Sequence, residues 1–461
     1  KDVIKICKKW INIFINLADL CMLSKPKNTS QLGFFTTFED QLSHEHPLFK
    51  LAKTIHWAVF EDAFSKHYSA TKGAPAKPIR LMVSLLILKQ LRNLSDESVV
   101  EQWSENSYYQ YFGGEQVFKA AQPCVPTELV EFRKRIGPEG VELILKESIR
   151  VNGKDSNDDT LSADTTVQEK NITYPTDDKL YKKIIDKCQS IAEKEQIELR
   201  QSYKYTVKKL SIIQRLKRNK GGDVKARKAS KKIKTIAGRL VRELQRKLPA
   251  RILNKYLMDL ELFAKVLAQK RSDSNKTYSL HEPHVKCFTK GKEHKKFEFG
   301  SKVSILITQK TGVIVGALNF NDTLHDSKTL PDALLQYERL TGKKAKDVFL
   351  DRGYRGPKII NQTNLHTPKP NPNITKAKRR KHKRRAAIEP TIGHLKHDYR
   401  MIRNYLKGSI GDEMNVMLSA AAMNFKRIMN LWKQGLKNCL ENLCFNIIKY
   451  FSQNLKTDFL R

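Results

Sequence analysis

The chain has 461 residues and carries 86 Lys plus Arg against 48 Asp plus Glu, a formal net charge of +38 that favours nucleic acid as a partner. That length buries a substantial core in two or three domains, and no stretch approaches the roughly 18 to 20 unbroken apolar residues of a membrane span: the best candidate, Trp10 to Leu23, is interrupted by Asn12, Asn16 and Asp19. Seven scattered cysteines without CxxC spacing argue against a zinc site and for a reducing, cytoplasmic interior.

Residues 38–150 read as helical. Ile79 to Leu88 is apolar on nearly all sides, as in a helix buried within a bundle. Ser95 is placed to cap a second helix through Val99, Val100 and Trp103, which the cluster Tyr108, Tyr109, Tyr111, Phe112 and Gly113-Gly114 closes. A third helix runs from a cap at Thr127 to Ile136 and stops at Gly137-Pro138. Such helix pairs could present Arg133, Lys134 and Arg135 to a DNA groove. They serve equally as a packing domain with an ordinary basic surface.

Residues 151–160 form a turn-rich linker into a short β-prone segment that contains Asp164. Thr176 or Asp177 then caps a long helical region. Between residues 181 and 270 there are 26 Lys plus Arg against 8 Asp plus Glu, a difference of +18. The apolar spacing predicts an antiparallel helical hairpin with its bend near Gly221-Gly222. Its one-signed charge suits contact with phosphates, and a solvated charged hairpin is the other reading.

Alternation resumes at Phe297, with Phe299, Ser301, Val303, Ile305 and Ile307 on one strand face, and the turn Lys310-Thr311-Gly312 leads into a second strand through Leu318. Asp326 or Ser327 caps a helix ending at Gly342. The next strand, Val348-Phe349-Leu350, ends at Asp351, followed by the turn-rich Arg352-Gly353-Tyr354-Arg355-Gly356. Residues 368–385 form a basic loop that includes Lys378, Arg379 and Arg380. A helix starting near residue 387 or 388 tolerates Pro390 in its first turn, leaves Arg385 just ahead of it, and projects Glu389 and Lys396 from one face. Met414 to Leu431 reads as a helix packed on a sheet, and the tail from 437 as an apolar, basic dimer surface.

A glutamate between bases is often a solvated salt-bridge face, and either aspartate alone suits a turn or a cap. Taken together, Asp164, Asp351 and Glu389 are a set of hard oxygen ligands suited to Mg²⁺ or Mn²⁺. Asp351 also stands at the carboxyl end of a buried strand, where α/β sheets place their ligands.

Residues 161–177 (LSADTTVQEKNITYPTD), 347–356 (DVFLDRGYRG) and 384–401 (RRAAIEPTIGHLKHDYRM) resemble the three acid-bearing motifs of bacterial DDE insertion-sequence transposases. The nearest likeness is to insertion-sequence family five, within the clan of family four. The third motif of that clan runs Tyr, two residues, Arg, three residues, Glu, six residues, Lys; Arg385, Glu389 and Lys396 fit it, while His382 stands at the tyrosine position. The resemblance implies an α/β chain with a ribonuclease-H-like mixed-sheet catalytic domain over 161–435, a basic helical insertion at 178–275, an all-α DNA-binding domain at 38–150, and a tail at 436–461. Residues 1–37 are an extension, with residues before Met22 read as upstream sequence or an ordinary helix.

By the same resemblance, Asp164, Asp351 and Glu389 hold two divalent ions, and the N-terminal segment recognises the element's terminal inverted repeats. Arg352, Arg385 and Lys396 contact phosphate, and the run Lys378, Arg379, Arg380 clamps DNA ahead of Glu389. The implied partners are double-stranded DNA, as element end and as target, and a second copy of the chain in a homodimer on DNA, with the protein acting at the bacterial nucleoid. A metal-dependent nuclease that cleaves without joining, and a noncatalytic DNA-binding descendant of a transposase, are the alternatives. The roles of His382 and His394 stay open.

Overall fold

The computed structural model describes residues 36–458 apart from 70–74, 220, 271, 290–295 and 369–374, with backbone only from 436 onward. The extension ahead of residue 36 and the side chains of the C-terminal tail therefore lie outside the described residues.

Among the described residues seven helices come first: α1 (Phe38–Gln41), α2 (Pro47–Thr54), α3 (Trp57–Ser65), α4 (Ile79–Leu91), α5 (Asp96–Glu105), α6 (Ser107–Gly113) and α7 (Pro126–Val151). α4 is buried from Leu81 to Leu91, as its all-round apolar sequence requires. The Ser95 side chain caps α5 by accepting from the Ser98 N–H at 3.0 Å. The tyrosine cluster does not close α5: Asn106 caps a separate helix, α6, which ends on Gly114 at φ 99°. Nor does α7 begin on a Thr127 cap, although its helical geometry does break at Gly137-Pro138 as expected. The Glu128 carboxylate accepts the Val125 N–H at 2.8 Å to start it. Gly137, at φ 63° and ψ −174°, then kinks the helix and lets it resume.

β1 (Thr160–Lys170) is the central strand. After it come α8 (Asp177–Lys194), α9 (Lys204–Arg215), α10 (Gly222–Lys247) and α11 (Ala250–Ala268). The basic region is thus four helices rather than one hairpin. The bend expected at Gly221-Gly222 is present, but breaks at residues 195–203 and at Leu248-Pro249 divide each arm again. Its apolar faces make a core of their own, with Ile184, Ile233, Leu240, Leu244, Leu260 and Phe263 at the centre.

The remaining strands are β2 (Lys286–Thr289), which the apolar pattern did not reveal, β3 (Phe297–Thr308), β4 (Ile314–Phe320), β5 (Asp347–Phe349), β6 (Ile359–Ile360), β7 (Thr363–His366) and β8 (Arg403–Asn404). On one side of β1 lies antiparallel β3, itself paired with β4 and β2. On the other lie parallel β5 and, further along, β8. β7 continues the sheet parallel to β5, and β6 closes it antiparallel. An antiparallel meander flanked by parallel strands is consistent with the ribonuclease-H-like expectation. The β1–β3 contact is so close that a Cβ on Gly300 would stand 1.8 Å from the Gln168 carbonyl oxygen, so only glycine fits there.

Four further helices lie among the described residues: α12 (Asp326–Thr341), α13 (Lys376–Arg384), α14 (Ile388–His397) and α15 (Gly408–Asp458). α13 replaces much of the expected basic loop, and α15 extends well beyond the expected 414–431. The N-terminal helices, the sheet and α15 share one continuous core, from Leu48 and Leu86 through Val303 and Ile305 to Val416 and Phe425.

Candidate active site

Strands β1 and β3, the turn after β5 and helix α12 converge on one small pocket. Asp164 lies in mid-β1, level with Ile305 of β3. β5 runs parallel to β1 with Phe349 opposite Ser162, so continuing both chains by two residues brings Asp351 level with Asp164. Asp351 sits where β5 has ended, and its Oδ1 accepts the Tyr354 N–H at 3.1 Å, which folds the following turn back beneath it. Asp164, Asp351, Thr165, Ser304, Tyr354 and a further carboxylate, Asp326 of α12, line a space of about 20 Å³. That is room for one water-sized occupant.

The electrostatics of this pocket are those of crowded acids. Burial pushes the Asp164 carboxyl above its ordinary pKa; the Thr165 N–H, which donates to its Oδ1 at 2.7 Å, and Arg385 pull it down, while Asp351 and Asp326 push it further up.

Glu389 approaches from α14, which starts at Ile388 as the sequence indicates, with Arg385 in the single 3-10 turn before it. The Arg385 guanidinium spans the two acids, Nη1 lying 3.6 Å from Asp164 Oδ2 and Nη2 3.5 Å from Glu389 Oε1. Nη1 is buried without a hydrogen-bond partner among the described residues. The Glu389 side chain is 66 % exposed against 16 % for Arg385, so the glutamate stands at the rim. The structure therefore brings Asp164 and Asp351 together and links Glu389 to them through an arginine. Among the described residues no group of three or more His, Cys, Asp or Glu side chains is close enough to hold a metal ion. The charged donors at the pocket are nonetheless all carboxylates, mutually repelling and partly desolvated, which fits a hard divalent cation.

The predicted basic residues divide by environment. Arg133 is not surface-exposed: its guanidinium is buried and bidentate on Asp96, at 2.7 Å for each bond, so it is not available to a DNA groove. Beside it Lys134 is exposed and paired with Glu131 at 2.7 Å, and the exposed Arg135 guanidinium stacks 4.5 Å from the Tyr68 ring centre. Arg352 is exposed in the turn after Asp351, and Lys396 is half-buried on α14. Lys378, Arg379 and Arg380 are exposed on α13. That helix is capped by the Thr375 hydroxyl and docked by Arg384, which donates to the carbonyls of Gln309 and Lys310 at 3.1 and 3.0 Å. His382 packs edge-on to Phe349 at 4.9 Å between ring centres, with its Nδ1 buried and unpartnered among the described residues. His394 pairs with Asp398 at 2.7 Å on the surface.

Sequence reasoning missed Asp326 as a pocket residue and took it for a helix cap. His325 is the N-cap instead, and Asp326 turns inward. A carboxylate in a first helical turn looks the same in sequence in either role.

Residues 36–135 match a family model described as Transposase domain (DUF772), and residues 276–425 match one described as Transposase DDE domain. The second span holds Asp326, Asp351 and Glu389 and begins after Asp164. An "Uncharacterized protein ORF8 in nfe locus" of Rhizobium meliloti is 38% identical over 194 residues, which is 41% of this chain and 93% of that protein. No solved structure matches. With two separate transposase matches flanking the helical insertion, and the acids of the second and third motifs inside the later one, this chain belongs to the insertion-sequence DDE transposases and is an enzyme of that kind.

Proposed function

We propose that the protein binds the terminal inverted repeats of an insertion sequence and catalyses metal-dependent strand cleavage and strand transfer, with Asp164, Asp351 and Glu389 holding two Mg²⁺ or Mn²⁺ ions. The observation that carries this reading is the pairing of Asp164 and Asp351 at neighbouring parallel strands, with Glu389 tied to Asp164 by Arg385. Two such ions, when bound, polarise the attacking and leaving oxygens of an in-line displacement at phosphorus.

The chain's own residues do the rest. The two aspartates are fixed by N–H donors from Thr165 and Tyr354, so their carboxylates are oriented before substrate arrives. Arg385 beside Asp164, Arg352 in the turn after Asp351 and Lys396 further along α14 from Glu389 supply positive charge for the scissile phosphate and its neighbours. Lys378, Arg379 and Arg380 on α13, and the basic face of the four-helix insertion, hold the backbone further out without reading sequence. The helical segment 38–150 acts as the recognition domain, through Lys134 and Arg135 rather than Arg133. The reading extends to a place near insertion-sequence family five, a homodimer on DNA and a site of action at the bacterial nucleoid.

The test is to incubate the full chain, with Mg²⁺ or Mn²⁺, with DNA bearing the element end and a target plasmid. Joined products are expected from the unaltered chain. Asp164→Ala, Asp351→Ala and Glu389→Ala should each lose cutting and joining while still retarding end DNA. Hydrolysis without joining would make the protein a nuclease, and any variant that still cuts ends removes that residue from the set.

A further inference from the structure

Beside Asp164 and Asp351 the pocket holds a third carboxylate, and it is not Glu389. Asp326, on the first turn of α12, lines the same small space as Asp164 and Asp351. Its Oδ1 accepts the Thr165 hydroxyl at 2.6 Å and pairs with the Lys302 ammonium of β3 at 2.5 Å. Thr165 is the residue after Asp164, and its own N–H closes on Asp164 Oδ1. A continuous relay runs from Lys302 through Asp326 and Thr165 to Asp164, joining β3, α12 and β1.

We propose that Asp326 is a positioning residue for the metal site: through the Thr165 hydroxyl it fixes β1 at Asp164, and with Lys302 it sets the charge of the pocket where Asp164 and Asp351 grip their cation. The assignment rests on the reading of those two aspartates as ligands. Both contacts fall on Oδ1. Outer-shell partners of this kind hold a ligand in the geometry the ion requires, and removing them typically weakens metal binding about 10- to 100-fold.

The experiment measures Mn²⁺ binding to the full chain without DNA, by the electron paramagnetic resonance of free Mn²⁺, with thermal unfolding run alongside. Thr165→Val and Asp326→Ala should each weaken binding about 10- to 100-fold. The double variant should be no weaker than the weaker single, because the two act through one hydrogen bond. Thr165→Ser keeps the hydroxyl and should restore binding. Asp326→Asn keeps the acceptor oxygen and should lose less than Asp326→Ala; if the alanine variant does not fold, Asp326→Asn and Thr165→Val decide the matter.

Loss of binding in Asp164→Ala with none in a folded Thr165→Val overturns the positioning role and leaves the metal reading intact. A loss in Asp326→Asn as deep as that in Asp164→Ala, with Thr165→Val unaffected, makes Asp326 a direct ligand and also overturns it. If the unaltered chain binds no Mn²⁺, or Asp164→Ala binds it undiminished, the metal reading itself fails.

Discussion

Replacing Arg133 by methionine should make the chain easier to unfold and leave its salt-dependent hold on DNA unchanged. The guanidinium is 5% exposed and makes two parallel bonds to Asp96, which is 14% exposed and also pairs with Lys89 at 2.9 Å, itself 9% exposed. Losing Arg133 leaves Asp96 with its lysine, so the cost stays near that of charge-assisted hydrogen bonds, about 1.5–3 kcal/mol. Asp96→Ala strands two buried cations together and should cost more, about 3–5 kcal/mol.

Lys89 gives that second variant a pH signature. Burial first, and then Arg133, lower its pKa to about 8 against the pull of Asp96. A lysine whose folded pKa lies below its unfolded value is penalised in full below the folded pKa, so this contribution to stability rises as pH climbs from about 8 toward the unfolded value near 10.5. Without Asp96 that window opens at lower pH. Urea unfolding followed by circular dichroism supplies the stabilities, and fluorescence anisotropy of labelled end DNA against salt supplies the slope. If Arg133 instead held a phosphate, its removal would reduce that slope by about one. An Arg133→Met protein with unchanged urea midpoint and a slope reduced by that much would refute the reasoning.

Two further outcomes follow from the site. Burial and the neighbouring acids raise the Asp164 pKa, so the folded state disfavours its charge. Asp164→Asn should therefore raise the unfolding midpoint of the metal-free protein at neutral pH. The advantage holds above the raised pKa and fades as pH falls toward the ordinary aspartate value near 3.8, which a pH series of thermal melts will show. Replacing Lys378, Arg379 and Arg380 together by alanine should lower the DNA salt slope by about 2.7, at about 0.9 per phosphate, with helix content unchanged because the Thr375 cap and the Arg384 anchor remain. An unchanged slope would remove α13 from the DNA path.

Where apolar pattern alone decides the structure, the sequence was readable. α4 is apolar on nearly every side because it is buried from Leu81 to Leu91, and the β3–β4 hairpin follows its alternation and its Gly312 turn. The start of α14 was readable because Pro390 is admissible only in a first turn. α13 was not, since it has no buried residue and docks by hydrogen bonds from Arg384, leaving periodicity nothing to detect. Arg133 looked like its neighbours because one basic residue in a run of three differs only in where the helix turns it. Motif spacing named Asp164, Asp351 and Glu389, but it could not convey that two of them share a pocket while the third reaches them through Arg385, nor that Asp326 stands beside them.

The division of the buried residues into two cores bears on how the enzyme can grip DNA and keep its chemistry in register. The far end of β1 is locked to α15 by polar bonds inside the larger core: Lys170 pairs with Asp412 at 2.7 Å, and Asn415 donates to Gln168 at 2.7 Å and accepts from Gln90 of α4 at 3.1 Å. Breaking such buried bonds strands their partners, so the strand bearing Asp164 cannot slide without a cost of several kcal/mol. The four-helix insertion follows β1 yet packs chiefly on itself. A shift of that basic bundle to follow a DNA backbone would then repack little of the core behind the pocket, and the acids would keep their spacing while the arm adjusts.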